Sequence, residues 1–303
     1  MPSLSCVELL QWALPRLSLR WPGYRRVHRR VCRRIGRRVQ DLKLPDLGAY
    51  KEYLDAHPEE WRLLDSFCWI PISRFLRDRV VFERLRTEVL PALVAGARNR
   101  GARAIRCWSA GCASGEEPYS LTILWKLGLA TRYPSVSLSV VATDIDAGLL
   151  ERARAARYRA SSLGELPRAW IDAAFERSAD VFELRSEFQQ GIEFRHEDIR
   201  ERIAPGPFDL ILCRNLVFTY FDASRQRQTL DRMLLELVSQ GALVVGRRER
   251  LPEGSIGIEV WDSASGIYRR AATGDAARSA DLRGVASGPM TGGAVESMVE
   301  QWT

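Results

Sequence analysis

Between residues 25 and 39 apolar side chains recur at every fourth position, at Val27, Val31, Ile35 and Val39. That spacing lays them along one face of an α-helix and leaves arginine over most of the remaining surface. Further helix-compatible segments follow at 47–54, 59–67 and 80–90, with Pro58 opening the second at its first turn and Pro91 closing the third. After a short basic linker over 95–101 the pattern changes. Short apolar runs predict strands at 104–109, 137–143, 192–196, 208–213 and 242–246, and helices at 117–129, 147–156 and 225–237 fall between some of them. Two later runs, 258–261 and 267–269, suit an antiparallel edge pair. Strands alternating with helices predict an α/β fold: a Rossmann-like, doubly wound, mixed but mainly parallel sheet, preceded by a small all-α N-terminal domain. The expected division is a helical domain over 1–92, the sheet domain over 93–270, and a tail over 271–303. The tail is rich in Gly, Ala, Ser and charge and poor in large apolar residues, so disorder is expected there.

Composition narrows the class. With 46% hydrophobic residues over 303 positions the chain can bury an ordinary core. It has no run of about 18 apolar residues, so no transmembrane helix is expected. Residues 1–14 are mildly apolar but lack a basic start and a small-residue cleavage site, which reads poorly as a signal peptide. Cys6, Cys32, Cys68, Cys107, Cys112 and Cys213 form no CxxC pair and the three histidines are scattered, so neither a zinc site nor a disulfide framework is expected. The simplest expectation is a cytoplasmic protein with reduced thiols.

The formal net charge is +7, and the positive charge is concentrated. Arg25, Arg26, Arg29, Arg30, Arg33, Arg34, Arg37 and Arg38 all fall between residues 25 and 38, interleaved with the apolar seam. One reading is the solvated face of a packed helix. The other is a docking surface, and without aromatic interleaving or an RNA-binding signature it favours an acidic protein over nucleic acid.

The chemistry centres on Cys107-Trp-Ser-Ala-Gly-Cys-Ala-Ser-Gly-Glu-Glu-Pro-Tyr-Ser120, a strand, a small-residue turn and a helix start. Such a turn sits at the carboxyl end of a strand, where α/β sheets bind ligands. A phosphate site would offer bare N–H groups or a lysine at the helix start. Glu116 and Glu117 stand there instead, which argues for a ligand carrying a cationic group, and the sulfonium and ammonium of S-adenosylmethionine fit. The second strand ends in Asp144, placed to accept from ribose hydroxyls; its alternative role is to cap the next helix, for which Asp146 is better placed. The strand Phe208-Asp-Leu-Ile-Leu-Cys213 closes on Arg214 and Asn215, a polar pair that is costly at the end of an apolar strand unless it is used. Asp198 could approach an adenine ring on position alone.

Together these segments resemble the CheR-type methyltransferases, the family that methylates receptor glutamates in bacterial chemotaxis. The resemblance runs from about Tyr24 to Arg269. It rests on Ala110-Gly-Cys-Ala-Ser-Gly-Glu-Glu-Pro-Tyr-Ser120, Ala142-Thr-Asp-Ile-Asp146, Gly206-Pro-Phe-Asp-Leu-Ile-Leu-Cys-Arg-Asn215 and the segment ending Phe75-Leu-Arg77-Asp78. It implies S-adenosylmethionine as cofactor and no metal. By position it implies that Glu117 meets the methionine amino group, Asp144 the ribose, and Asp198 with Ile199 the adenine. Asn215 and Leu216 line the sulfonium end, and Ser73 can replace the family's threonine hydroxyl in holding the cofactor. Arg77 lies beside both cofactor and incoming carboxylate, and Tyr220 is the candidate active-site tyrosine. The implied partner is an acidic protein substrate or receptor helix, met by the arginine helix.

Three departures mark a divergent branch. Pro71 and Ser73 stand where the family usually has Asn and Thr, with Leu76 for the second Phe of Phe-Phe-Arg. The interval from Asn215 to Tyr220 is one residue longer than usual, and the Gly-His-Ser-Glu type turn reads Gly246-Arg-Arg-Glu249. The reading from sequence is therefore a methyltransferase acting on a carboxylate, with a protein glutamate favoured. A small-molecule acceptor on the same machinery, or a non-catalytic binding module, are the alternatives.

Overall fold

Seven strands of a main sheet and three of a smaller one occur in chain order as β1 (Ala104–Ala110), β2 (Ser137–Asp144), β3 (Arg157–Arg159), β4 (Phe175–Ser178), β5 (Val181–Leu184), β6 (Ile192–His196), β7 (Phe208–Cys213), β8 (Leu237–Val245), β9 (Ile258–Asp262) and β10 (Ile267–Arg270) in the computed structural model, which describes residues 4–272. The main sheet has the order β6-β2-β1-β7-β8-β10-β9. Its first five strands are parallel, and β10 and β9 add antiparallel at one edge. The sheet is doubly wound and Rossmann-like, as the alternation of strands and helices predicts.

Its strands read as continuous apolar runs because both faces are covered. Ile105, Cys107, Val140, Leu210, Leu212, Ala242 and Val244 share one core with helices Glu116–Gly128 and Leu90–Asn99. The residues between them, Trp108, Val141, Ile211, Cys213, Leu243 and Val245, point the other way. That second face is covered by Leu230 and Met233 of helix Ala223–Glu236 and by the N-terminal helices, through Leu9, Leu14, Val31, Ile35, Tyr50 and Leu64 among others. The N-terminal segment also grips the loop after β7. Leu19 forms a bridge with Phe221, Arg20 N donates to the Tyr220 carbonyl at 2.8 Å, and the Arg20 guanidinium donates to the carbonyls of Thr219 and Phe218.

Several expectations are corrected. Pro91 does not end a helix: Arg79–Arg84 passes through a π-turn at Leu85–Val89 into Leu90–Asn99, so most of the expected linker is helical. The widened turn precedes the one ring that has no N–H to give, and Pro91 then sits in the first turn of the next segment, where none is needed. Helix Glu60–Phe67 starts after Pro58 rather than on it. Strand β8 begins at Leu237, directly where helix Ala223–Glu236 stops, not at 242. The small antiparallel sheet, ordered β3-β5-β4, was not expected. Its strands are only three or four residues long, and just one side of each carries a buried residue: Tyr158, Phe175 and Leu184.

The thiol expectation also fails at one pair. Cys6 and Cys32 are disulfide-bonded, with Cα atoms 5.9 Å apart. The bond joins helix Cys6–Ala13, which the apolar pattern left unassigned, to helix His28–Asp41. A separation of 26 residues carries no pairing signature, and the contact exists only once the two helices pack. Cys68, Cys107, Cys112 and Cys213 are free and buried. No helix among the described residues is long and apolar enough to cross a membrane. The expected disorder over 271–303 lies, from residue 273 on, outside the described residues.

Candidate active site

A cavity of about 1040 Å³ opens at the carboxyl ends of β1, β2, β7 and β8 and beneath the N-terminal segment. Strand β1 has β2 on one side and β7 on the other, which makes this the topological switch point of the sheet. The turn after β1 can pass close to a ligand because Gly111 takes φ 76° and a Cβ there would lie 2.7 Å from Leu216 Cδ2. Of the two adjacent carboxylates at the helix start only one faces the cavity. Glu116 is buried and takes the Ser114 hydroxyl at 2.9 Å, whereas Glu117 lines the cavity and accepts from Ser109 Oγ at 2.8 Å and Arg214 Nη1 at 3.2 Å.

The end of β2 presents Asp144, whose carboxylate accepts from the backbone N–H of Ala113 at 2.8 Å and of Asp146 at 2.9 Å. Burial pushes its pKa above the usual aspartate range, against the pull of those N–H groups. Asp146 caps the following helix by accepting from Leu149 N at 3.1 Å. Asp198 and Ile199, beyond β6, also line the cavity. The Asp198 carboxylate takes the backbone N–H and Nε of Arg200, and the same guanidinium reaches Asp65 on helix Glu60–Phe67 at 2.7 and 2.8 Å.

At the end of β7, Asn215 takes the left-handed conformation, φ 58°. Its Oδ1 accepts from Arg77 Nη2 at 2.5 Å, and its backbone N donates to Glu249 Oε2 at 2.8 Å. Its Nδ2 is buried with no partner. It packs against Gly246, where an added Cβ would lie 2.4 Å from it. Arg77 donates its other arm to the Ile72 carbonyl at 2.5 Å, and burial, then the nearby Arg214, lowers its pKa. Ser73, Leu216 and Tyr220 line the same cavity, with Pro71 beside them. The Tyr220 ring lies 5.0 Å from that of Tyr24, and burial raises its pKa, so the phenol stays protonated. The cavity thus brings together Ser73, Arg77, Glu117, Asp144, Asp198, Ile199, Asn215, Leu216 and Tyr220.

Three further residues hold this arrangement. Arg214, with its side chain 3% exposed, joins Glu117, the Asp78 carboxylate at 2.7 Å and the Arg77 carbonyl. Asp78 is therefore the partner of Arg214, not of its neighbour Arg77. Glu249 is buried and gathers Gly246 N, Asn215 N and the Thr219 hydroxyl; burial raises its pKa. Arg200 forms the link described above. Sequence reading noted Arg214 and the turn ending in Glu249 without giving either a task, and passed over Arg200, because each acts on side chains distant in sequence.

Charge in the cavity is unevenly spread: Arg200 stands among the carboxylates, and Asp65, Asp78 and Glu249 stand among the arginines, each held by the partners described above. The carboxylates of Glu117, Asp144, Asp146, Glu197 and Asp198 come from the β6-β2-β1 half of the sheet. Arg25, Arg26, Arg74, Arg77, Arg247 and Arg248 come from the N-terminal segment, the stretch before helix Arg79–Arg84, and the turn after β8. None of those six makes an ion pair among the described residues. No cluster of His, Cys, Asp and Glu among the described residues is arranged to hold a metal ion.

Residues 72–266 match the family model described as CheR methyltransferase, SAM binding domain. The chain is 34% identical over 229 residues to the chemotaxis protein methyltransferase of Salmonella typhimurium, spanning 72% of this chain and 75% of that one. It is 33% identical over 192 residues to the protein of the same name from Listeria innocua, spanning 62% and 70%. Against the Escherichia coli K12 protein the figures are 31% over 275 residues, 82% and 91%.

Proposed function

Because the chain belongs to the CheR methyltransferase family, and is an S-adenosylmethionine-dependent methyltransferase, we propose that it esterifies a glutamate carboxylate on an acidic protein. The observation that carries this is an imbalance of charge: carboxylates predominate along the β6-β2-β1 half of one cavity, and arginines that make no ion pair among the described residues predominate along the other. A cationic cofactor suits the first and an anionic acceptor the second.

S-adenosylmethionine supplies, when bound, a methyl group made electrophilic by its sulfonium. The residues present fit it: Glu117 to meet the ammonium, Asp144 the ribose hydroxyls, Asp198 and Ile199 the adenine. Ser73, Asn215 and Leu216 would line the sulfonium end. A glutamate is already ionised at pH 7, so no base is required. The protein's work is to align the acceptor and exclude water. Arg77 can hold one carboxylate oxygen by a charge-assisted bond while Asn215 keeps the guanidinium in place. Tyr220, kept protonated by burial, can donate a hydrogen bond and is not a base.

The exposed Arg29, Arg30, Arg33 and Arg37 of helix His28–Asp41 form the docking face for the acidic partner, a chemotaxis receptor helix being the candidate the family suggests. This reading implies a cytoplasmic site of action. It is tested by incubating the purified protein with S-adenosylmethionine carrying a tritiated methyl group and a bacterial membrane fraction that contains chemoreceptors. Label should enter protein and be released as methanol by mild alkali, as an ester requires. Alkali-stable label, or label confined to small molecules, would rule out a protein carboxylate.

A further inference from the structure

The turn after β8 is fixed from within and charged on the outside. Glu249 N donates to the Gly246 carbonyl at 2.7 Å, and the buried Glu249 carboxylate takes Gly246 N, Asn215 N and Thr219 Oγ1. A Cβ on Gly246 would lie 2.4 Å from Asn215 Nδ2 and 2.7 Å from Glu249 Oε2, so the turn is seated directly against the residue that holds Arg77. Arg250 satisfies the carbonyls of Arg247 and Glu249. Arg247 and Arg248 do neither job. Both are exposed, both line the cavity, and neither meets a carboxylate among the described residues. They share the cavity with Arg25 and Arg26, more than two hundred positions earlier in the chain and equally exposed.

Placing four like charges around one opening costs free energy that an anionic ligand must offset. The cofactor brings a single carboxylate, which cannot engage all four. We propose that the Gly246-Arg247-Arg248-Glu249 turn is a second acid-reading element: Arg247 and Arg248 bind acidic side chains that flank the methylated glutamate on the acceptor protein. This rests on the protein-glutamate reading above and adds a specificity it does not contain. The arginine helix docks the partner, and the turn selects which glutamate, by its acidic neighbours, is offered to Arg77.

The experiment uses the full chain with two fluorescein-labelled helical peptides, each with one central glutamate. One carries glutamates on either side; in the other these are glutamines. Binding is read by anisotropy in the presence of S-adenosylhomocysteine, and turnover by tritiated methyl transfer. The wild type should favour the acid-flanked peptide. In an Arg247→Ser, Arg248→Ser double variant its Kd and KM should rise about tenfold, the scale of two partly exposed ion pairs. Turnover at saturating peptide and S-adenosylhomocysteine affinity should stay within about twofold, and the glutamine-flanked peptide should be indifferent to the change. The wild-type preference should also shrink with added salt. An unchanged preference in the double variant, or equal losses on both peptides, would overturn the role of the turn and leave the acceptor reading standing. A wild type that binds S-adenosylhomocysteine yet methylates neither peptide would overturn the acceptor reading, and this one with it.

Discussion

Arg77 reaches past its neighbour Asp78 to Asn215, 138 positions away, and that separates its work from ordinary surface pairing. Replacing it with alanine should cost little stability, since Asp78 keeps Arg214, but methyl transfer should fall by about a hundredfold or more once alignment is lost. Arg77→Lys should rescue only in part, because lysine lacks a planar two-armed donor that can hold Asn215 and a carboxylate together. Melting temperature, S-adenosylhomocysteine titration and turnover distinguish this from a structural loss. On the proposed reading Asp144 meets the ribose, and Asp144→Ala should weaken S-adenosylhomocysteine binding by about 1–3 kcal/mol in calorimetry. The sign with pH follows from its raised pKa. The ionised form offers lone pairs to the ribose, so affinity should hold at neutral pH and fall as acid protonates the group, earlier than for an exposed aspartate. An Asp144→Asn variant should show no such fall over the same range. Residues of this kind are legible in sequence because a strand end and a turn announce them. Arg214, Glu249 and Arg200 are not, because their partners are supplied only by folding.

The arginine helix shows how one element divides its side chains. Val31 and Ile35 are fully buried, with Val27 and Val39 at the margins, as the four-residue spacing predicts. Its arginines fall into two groups that spacing cannot tell apart. Arg34 donates to the carbonyls of Phe67 and Trp69, both at 2.8 Å, at the end of helix Glu60–Phe67. Arg38 holds Glu60 through two bonds of 2.9 and 2.7 Å, and Tyr50 Oη adds a third at 2.9 Å. Glu60 is only 4% exposed. Burial alone would raise its pKa, but these bonds bring it below the usual range. Its stabilising contribution is therefore complete above the unfolded-state pKa and is lost as pH falls through the lowered folded value. Glu60→Gln should destabilise by about 2–3 kcal/mol in denaturant unfolding at pH 7, and by less in acid. Arg33→Ala and Arg37→Ala, on the exposed side, should move stability by less than about 0.5 kcal/mol while weakening acceptor binding. Elements buried on both faces, such as β7, were plain in the sequence as unbroken apolar runs. The short strands β3, β4 and β5 were not, since three or four residues with exposed alternates carry too little pattern to separate them from loop.

At the scale of the molecule, Arg200 couples the N-terminal helices to the β6 side of the cavity, with Asp65 on one hand and Asp198 on the other. Asp65→Asn should lower both melting temperature and S-adenosylhomocysteine affinity. Combined with Arg200→Ala it should be less than additive, because the two changes remove one shared interaction. Sequence pattern drew a boundary near residue 92, where helices give way to alternating strands, but the packing follows another line. Helix Leu90–Asn99 shares the core of one sheet face, and the helices up to Phe67 cover the other. A chain begun at Ile72 would retain every strand and most of the cavity-lining side chains. It would also strip the N-terminal helices' share of the cover from the face bearing Trp108, Val141, Phe208, Ile211 and Leu243, and the β7 loop bearing Tyr220 would lose the grip of Arg20. Such a fragment should precipitate rather than act as a minimal enzyme. The same dependence limits modularity. Exchanging the N-terminal segments of two relatives would transplant half of a hydrophobic interface, and a hybrid would fold only if the hooks of the donor segment met the carbonyls of the recipient's loop.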